Sequence, residues 1–389
     1  MPLQMPSFRV AAFCRFLLPA LLGGMLATTG LGREETVVFR SETEGYNTFR
    51  IPAIVSAPNG DLLAFAEGRK NSRSDTGDID LLLKRSSDGG KTWGPIQVLW
   101  DDGTNTCGNP CAVVDEKTGT IWLLSTHNLG KDKEEAIVRG ASDGGRTVWV
   151  LHSKDNGATW TQAVNITKTT KQPDWTWYAT GPGIGIQIKH GPHAGRLVIP
   201  SDHNFKDAKT GKPEHASHAI YSDDHGATWQ LGGTIQPGMN ECQVAELFDG
   251  KGTLLMDMRS YRGLAQRAQS RSADGGATWS EAVDVPVLVE PVCQASILRW
   301  ESAGAGRPGW LLFANPADAK KRRNLTVRAS ADNGATWPHT LVLREGGTGY
   351  SCLIALSDTA AGCLYELSEK RPYEQIVFVR FDAQEITGS

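Results

Sequence analysis

Ser86-Ser-Asp-Gly-Gly-Lys-Thr-Trp93 is one of five copies of the pattern Ser-x-Asp-x-Gly-x-Thr-Trp in this chain. The others run Ser153–Trp160, Ser222–Trp229, Ser272–Trp279 and Ser330–Trp337, with starts separated by 67, 69, 50 and 58 residues. So many intact copies exclude coincidence, and periods of this length fit one four-stranded sheet per repeat. Each copy reads as a turn: aspartate accepts backbone N–H bonds across it, glycine supplies a positive φ, and tryptophan packs beneath. These residues explain one another without a ligand, so the repeats mark the fold and leave the chemistry to residues elsewhere.

Outward from the turns the sequence reads as strands. Asp80-Leu-Leu-Leu-Lys-Arg85 leads into the first copy and Thr340-Leu-Val-Leu-Arg344 follows the last, while helical periodicity is hardly visible after residue 35. Forty-three glycines and twelve tryptophans suit many tight turns with a repeated aromatic packing element. The expected fold class is all-β, a six-bladed β-propeller over residues 33–389 with five blades marked by the turn and one unmarked. Radial closure of such a ring leaves no long exposed sheet edge.

A formal net charge of −3 with 21% charged residues gives neither a nucleic-acid footprint nor an acidic tail, so anion binding must come from local arginines. Residues 1–32 read as a signal peptide: Arg9 and Arg15 precede the apolar stretch Phe16 to Ala27, and small residues follow. That stretch contains Pro19 and is shorter than the roughly 20 residues needed to span a bilayer. The expected product is exported, either secreted or periplasmic. Cleavage would remove Cys14 and leave six cysteines, an even number that permits disulfides but fixes no pairing. Cys107 and Cys111 have a spacing a metal site could use, but no second Cys or His pair accompanies them, so no metal is expected.

Phe49-Arg-Ile-Pro52 lies upstream of the first repeated turn. With the turns, it makes the chain from about residue 35 to its end resemble the exo-α-sialidase (neuraminidase) family, which carries a Phe/Tyr-Arg-Ile-Pro motif. The resemblance implies a site for sialic acid, whose carboxylate on the anomeric carbon calls for planar, permanently charged donors. The positions matching the family's three arginines are Arg50, Arg259 in Leu255-Met-Asp-Met-Arg-Ser260, and Arg322 in Arg322-Arg-Asn-Leu-Thr-Val327. Arg323 is a neighbouring candidate, and the family spacing Arg-x-x-x-Thr selects Arg322.

A carboxylate nucleophile would be repelled by the substrate's own carboxylate, whereas a neutral phenol would not, and sialidases are the known tyrosine exception among glycosidases. Tyr350 in Gly349-Tyr-Ser351 matches the family tyrosine. It needs a base, and the match is Glu241, first acid of Glu241-Cys-Gln-Val-Ala-Glu246, with Glu246 left a structural role. Asp75, in the polar loop Asn71-Ser-Arg-Ser-Asp-Thr-Gly-Asp78, matches the general acid, with Asp78 and Asp80 as competitors. Arg69 matches an arginine near the sugar's 4-hydroxyl, with Glu67 as its orienting partner. Asn109 and Gln294 resemble polar sugar contacts, and Trp175, Trp177 and Tyr178 form an aromatic cluster that could line an N-acyl pocket.

The resemblance therefore implies retaining hydrolysis of terminal sialic acids on glycoproteins, glycolipids and oligosaccharides, without metal or organic cofactor. Trans-sialidase or intramolecular trans-sialidase chemistry is the alternative at the same site. A non-catalytic glycan-binding propeller is a further alternative, but it has no need of acid, base and nucleophile together.

Overall fold

The computed structural model describes residues 1–2, 33, 35–301 and 309–387. Apart from its first two residues, the signal peptide expected at 1–32 lies outside the described residues. No helix among them is long and apolar enough to cross a membrane.

The chain from residue 33 is a β-propeller. Strand β1 (Glu35–Arg40) is followed by a first antiparallel run, β2 (Thr48–Ser56), β3 (Leu62–Arg69), β4 (Ile79–Ser86) and β5 (Gln97–Trp100). The second run is β6 (Thr106–Val114), β7 (Ile121–Asn128), β8 (Thr147–Ser153) and β9 (Val164–Asn165). The third begins with β10 (Trp175–Thr180). After the short strands β11 (Gly183–Ile184) and β12 (Ile186–Gln187) it continues through β13 (Leu197–Lys206), β14 (Pro213–Ser222) and β15 (Gln230–Ile235). The fourth is β16 (Met239–Glu246), β17 (Leu254–Ser260), β18 (Gln266–Ser272) and β19 (Val283–Val289). The fifth is β20 (Ser296–Trp300), β21 (Trp310–Pro316), β22 (Arg323–Ser330) and the first half of β23 (His339–Ala355). The second half of β23 opens a sixth with β24 (Ala360–Ser368) and β25 (Gln375–Asp382), and β1 supplies its outer strand by pairing with β25.

The sequence sorts these strands by position. Inner strands such as β2 and β6 are buried along nearly their whole length, as expected of strands covered on both faces. Outer strands are polar and exposed, yet Val37, Val98, Val164, Val283, Val287 and Val342 stand exposed on them, where a β-branched residue serves extended backbone rather than a core. Apolar clusters fill the junctions between consecutive runs, and one joins the sixth to the first through Phe39, Phe49, Leu364 and Phe378.

All five repeated turns join the third and fourth strands of a run. In the third copy Ser222 Oγ donates to Asp224 Oδ1 and accepts the Gly226 N–H. Asp224 in turn accepts from the Thr228 N–H and hydroxyl. Gly226 has φ +88°, and a Cβ there would meet the Trp122 ring at 2.1 Å, so glycine is needed for both conformation and close packing. Trp229 sits edge-on to Trp122 of the preceding run, so each turn staples one run to its neighbour.

Inner strands lose register at one end. Breaks fall between Arg50 and Ala53 on β2, Gly108 and Cys111 on β6, Trp175 and Tyr178 on β10, Met239 and Cys242 on β16, and Thr348 and Ser351 on β23. A bulge re-aims the side chains beside it. Ile51 at φ +59° and Asn109 at φ +52° are non-glycine residues held in the left-handed region at two of these breaks.

Candidate active site

The bulged strand ends surround a cavity of about 310 Å³ lined by Arg50, Arg69, Asp75, Asn109, Glu241, Arg259, Arg322 and Tyr350. Eight of the nine expected site residues thus converge from the first, second, fourth, fifth and sixth runs.

The arginines are fixed in different ways. Arg50 donates from Nε and Nη2 to the two oxygens of Glu366 at 2.9 and 3.2 Å, and its guanidinium lies 3.8 Å from the Tyr373 ring centroid. Arg259 Nη1 donates to Glu241 Oε2 at 2.7 Å and to the Tyr350 hydroxyl at 3.3 Å. Arg322 pairs with no carboxylate among the described residues: its donors go to the Tyr373 hydroxyl at 3.1 Å and the Val292 carbonyl at 3.4 Å. One of the three cations is therefore uncompensated by any acid of the site. Carboxylate-sized anions are favoured where guanidinium groups converge in this way.

Tyr350 Oη donates to Glu241 Oε1 at 2.5 Å. Burial, followed by the Glu241 carboxylate, raises the phenol well above its ordinary pKa, and Arg259, Arg322 and Arg50 pull only partly against them. The phenol therefore stays protonated until Glu241, within hydrogen-bond reach, takes the proton.

Asp75 is half exposed on its loop and bridges two cations, Arg69 Nη2 at 2.8 Å and Arg50 Nη1 at 3.4 Å. Burial pushes its pKa up, but Arg69 and Arg50 outweigh that and hold it below the ordinary value. Glu67 orients the next layer: Oε2 accepts from Arg69 Nη2 at 2.6 Å, and Oε1 accepts the Asn109 N–H at 2.9 Å. The Asn109 side-chain oxygen accepts from Arg146 Nη2 at 2.6 Å.

Gln294 requires correction. It does not line the cavity: its nitrogen donates to the carbonyls of Ser351 and Pro182, and its oxygen accepts the Ser351 N–H. With its hydrogen-bonding capacity spent on backbone it ties the fifth run to the sixth, and no group is left for a sugar. In the aromatic cluster only Trp177 reaches the cavity, beneath the Arg146 guanidinium at 3.9 Å. Trp175 stacks on His203, and Tyr178 is buried with its hydroxyl on the Thr170 carbonyl.

The rejected neighbours have structural partners. Asp80 accepts from Tyr46 and pairs with Lys70, Arg323 pairs with Asp318, and Glu246 accepts from the Lys189 and His190 N–H groups at the far end of β16. Cys107, Cys111, Cys242, Cys293, Cys352 and Cys363 are free and buried, so no disulfide forms among the described residues. Cys107 and Cys111 sit in separate apolar clusters.

Several lining residues escaped the sequence reading: Glu134, Arg146, Asp202, Asn204, His215, Asn240, Tyr261 and Tyr373. Glu366, behind Arg50, also escaped it. Asp202 is fully buried, and burial followed by Glu241 raises its pKa well above the ordinary value against the pull of Arg146 and Arg259. Asn240 donates to its Oδ2 at 2.9 Å, while Oδ1 has no hydrogen-bond partner among the described residues. The signal for Glu366 and Asp202 was an acid inside an otherwise buried strand, in Leu364-Tyr-Glu-Leu367 and Val198-Ile-Pro-Ser-Asp202.

The family described as BNR repeat-like domain matches residues 60–363. The chain is 36% identical to a sialidase of Micromonospora viridifaciens over 340 residues, 83% of this chain and 50% of that one, so it spans half that relative's length. It is 30% identical to Sialidase-3 of Bos taurus over 405 residues, 90% of this chain and 92% of that one. The solved structure of the Hadza microbial sialidase Hz136 matches with a TM-score of 0.79 at 33% identity, covering 91% of this chain and 70% of that chain.

Proposed function

This chain belongs to the sialidase family, and from that premise we propose that it hydrolyses terminal α-linked sialic acids on glycoproteins, glycolipids and oligosaccharides. The observation that carries the reading is the Tyr350 hydroxyl, 2.5 Å from Glu241 and ringed by Arg50, Arg259 and Arg322. We read the six four-stranded runs as six blades, and residues 1–32 as a leader that directs export.

In the proposed reaction the three arginines hold the substrate carboxylate and so fix the anomeric carbon against Tyr350. Glu241 takes the phenolic proton as the tyrosine oxygen attacks that carbon, and the bond to the leaving oxygen breaks. Asp75 supplies the proton that oxygen needs. Asp75, now a carboxylate, then takes a proton from water, whose oxygen displaces tyrosine from the covalent sialyl intermediate, and Glu241 returns the proton to the phenolate. Two displacements give net retention. The arginine ring, prepared before substrate arrives, contributes orientation and charge stabilisation. Arg69, held by Glu67, and Asn109 line the same cavity, and in this reading they contact the sugar ring.

The test uses purified, folded variants and a fluorogenic sialoside. Tyr350→Phe is expected to lower turnover by about 10³-fold or more, since it removes nucleophile and acid–base partner together. Arg322→Ala is expected to cost about 10²–10³-fold in kcat/KM, in line with the loss of one partner of a buried charge contact. Near-normal turnover in either variant refutes the assignment. The first-formed sugar, observed by NMR, is expected to be the α-anomer of free sialic acid. An anhydro sugar or a sialylated acceptor in its place would assign transfer chemistry.

A further inference from the structure

A second depression, of about 340 Å³, lies beyond Tyr373 and shares Tyr373 and Arg322 with the cavity already described. Tyr373 is the wall between them. It is held at φ +58°, its N–H donates to Ser368 Oγ, its ring lies under Arg50, and its hydroxyl accepts from Arg322. A tyrosine fixed in a left-handed conformation by three contacts is a built partition, not a loose loop.

The charges around this depression do not cancel. Of the two carboxylates on its loop, Glu369 is taken by Arg344 and Glu374 accepts the Lys370 backbone N–H, while Arg371 is taken by Glu42. Lys370 is exposed, and its ammonium makes no hydrogen bond or ion pair among the described residues. In the loop that leads to Arg322, Lys320 and Lys321 are likewise exposed with free ammonium groups, because Asp318 is already engaged by Arg323 and by the two lysines' own backbone N–H groups. On a chain whose formal net charge is −3, one lysine without an ion pair thus lines the depression and two more precede Arg322, which it shares with the cavity.

The chemistry of the substrate points at this rim. Carboxylate and leaving oxygen share the anomeric carbon, and that oxygen must meet Asp75, which contacts Arg50, the guanidinium that covers the Tyr373 ring, so the attached sugar leaves beside this wall. Resting on the sialidase reading above, we propose that the depression beyond Tyr373 is an anion subsite. It takes a carboxylate or sulfate carried by the sugar to which the cleaved sialic acid is attached. A second sialic acid in a disialyl chain supplies the first anion, and a sulfated galactose or hexosamine the second. The subsite ranks substrates by the charge of their leaving group, and being solvent-exposed it weakens with salt.

The experiment compares kcat/KM on three substrates: 3′-sialyllactose with a neutral leaving group, an α2,8-linked disialyl glycan, and a sulfated sialyl-lactosamine. Wild type, Lys370→Gln and a Lys320→Gln/Lys321→Gln/Lys370→Gln variant are each measured at low and at physiological salt. Lys370→Gln is expected to lower kcat/KM on an anionic substrate by about two- to fivefold through KM, and the triple variant by about tenfold, with sialyllactose unchanged within about twofold. Whichever anionic arm responds identifies the source of the charge, and the response shrinks as salt rises. Equal losses on all three substrates, or no loss in the triple variant, overturn the subsite while leaving hydrolysis intact. A wild type that releases nothing from sialyllactose overturns the reaction itself, and the subsite with it.

Discussion

Asp75 carries the sharpest tension of any single residue, because a general acid must hold a proton, yet in the free protein Arg69 and Arg50 keep this carboxyl ionised. Substrate resolves the conflict. A carboxylate arriving on Arg50 weakens the pull on Asp75, so its pKa rises in the complex. Since kcat/KM reports the free enzyme and kcat the complex, the alkaline limb of the kcat/KM profile is expected at lower pH than that of kcat. Coincident limbs would count against Asp75. Asp75→Ala is further expected to cost about 10²–10⁴-fold on sialyllactose but far less on an activated aryl sialoside, whose leaving group departs without a proton. Arg50, Arg259, Arg322, Glu241 and Tyr350 were legible because each stands in a short motif. Glu366 was not, since its role exists only where β24 lies against β2, 316 positions away in sequence from Arg50.

Among the elements, the repeated turn was the most legible, because the hydrogen bonds among Ser, Asp, Gly and Thr close within eight neighbouring residues, and only the packing of Gly and Trp reaches the preceding run. Its serine is buried in every copy. Ser222→Ala would leave the buried Gly226 N–H without its acceptor, so a loss of about 1–3 kcal/mol is expected from denaturant unfolding, with activity per folded molecule preserved. An unchanged midpoint would show that the aspartate alone holds the turn. The turn aspartates, including Asp224, Asp274 and Asp332, have pKa values below the ordinary carboxylate value; burial opposes the shift and the turn hydrogen bonds outweigh it. Groups depressed in the folded state stabilise it above the unfolded pKa of about 3.9, and that contribution is lost as pH falls through their folded values. The bulges were illegible, because register belongs to a pair of strands and no single strand records it. They decide which side chains face the cavity, and Gln294, just ahead of β20, whose pairing carries no such break, is the expected contact that turned inward instead.

For the whole molecule, the decisive contact is the closure of β1 on β25. Val38 and Phe39 are buried there, and Glu35 accepts from the Tyr365 hydroxyl and pairs with Arg344. Deleting residues 33–40 removes two apolar side chains worth about 1.5–3 kcal/mol each and bares the β25 edge. A lowered thermal midpoint and light scattering at protein concentrations where the full chain stays clear are the expected results. Wild-type behaviour in both would mean that the ring closes without its outer strand. This closure also sets a schedule for biosynthesis. β1 leaves the ribosome long before its partner β25, since Glu35 meets Val379, and Arg50 likewise waits for Glu366. A nascent chain therefore stays catalytically silent, with an unpaired edge for chaperones to guard, until β24 and β25 have emerged.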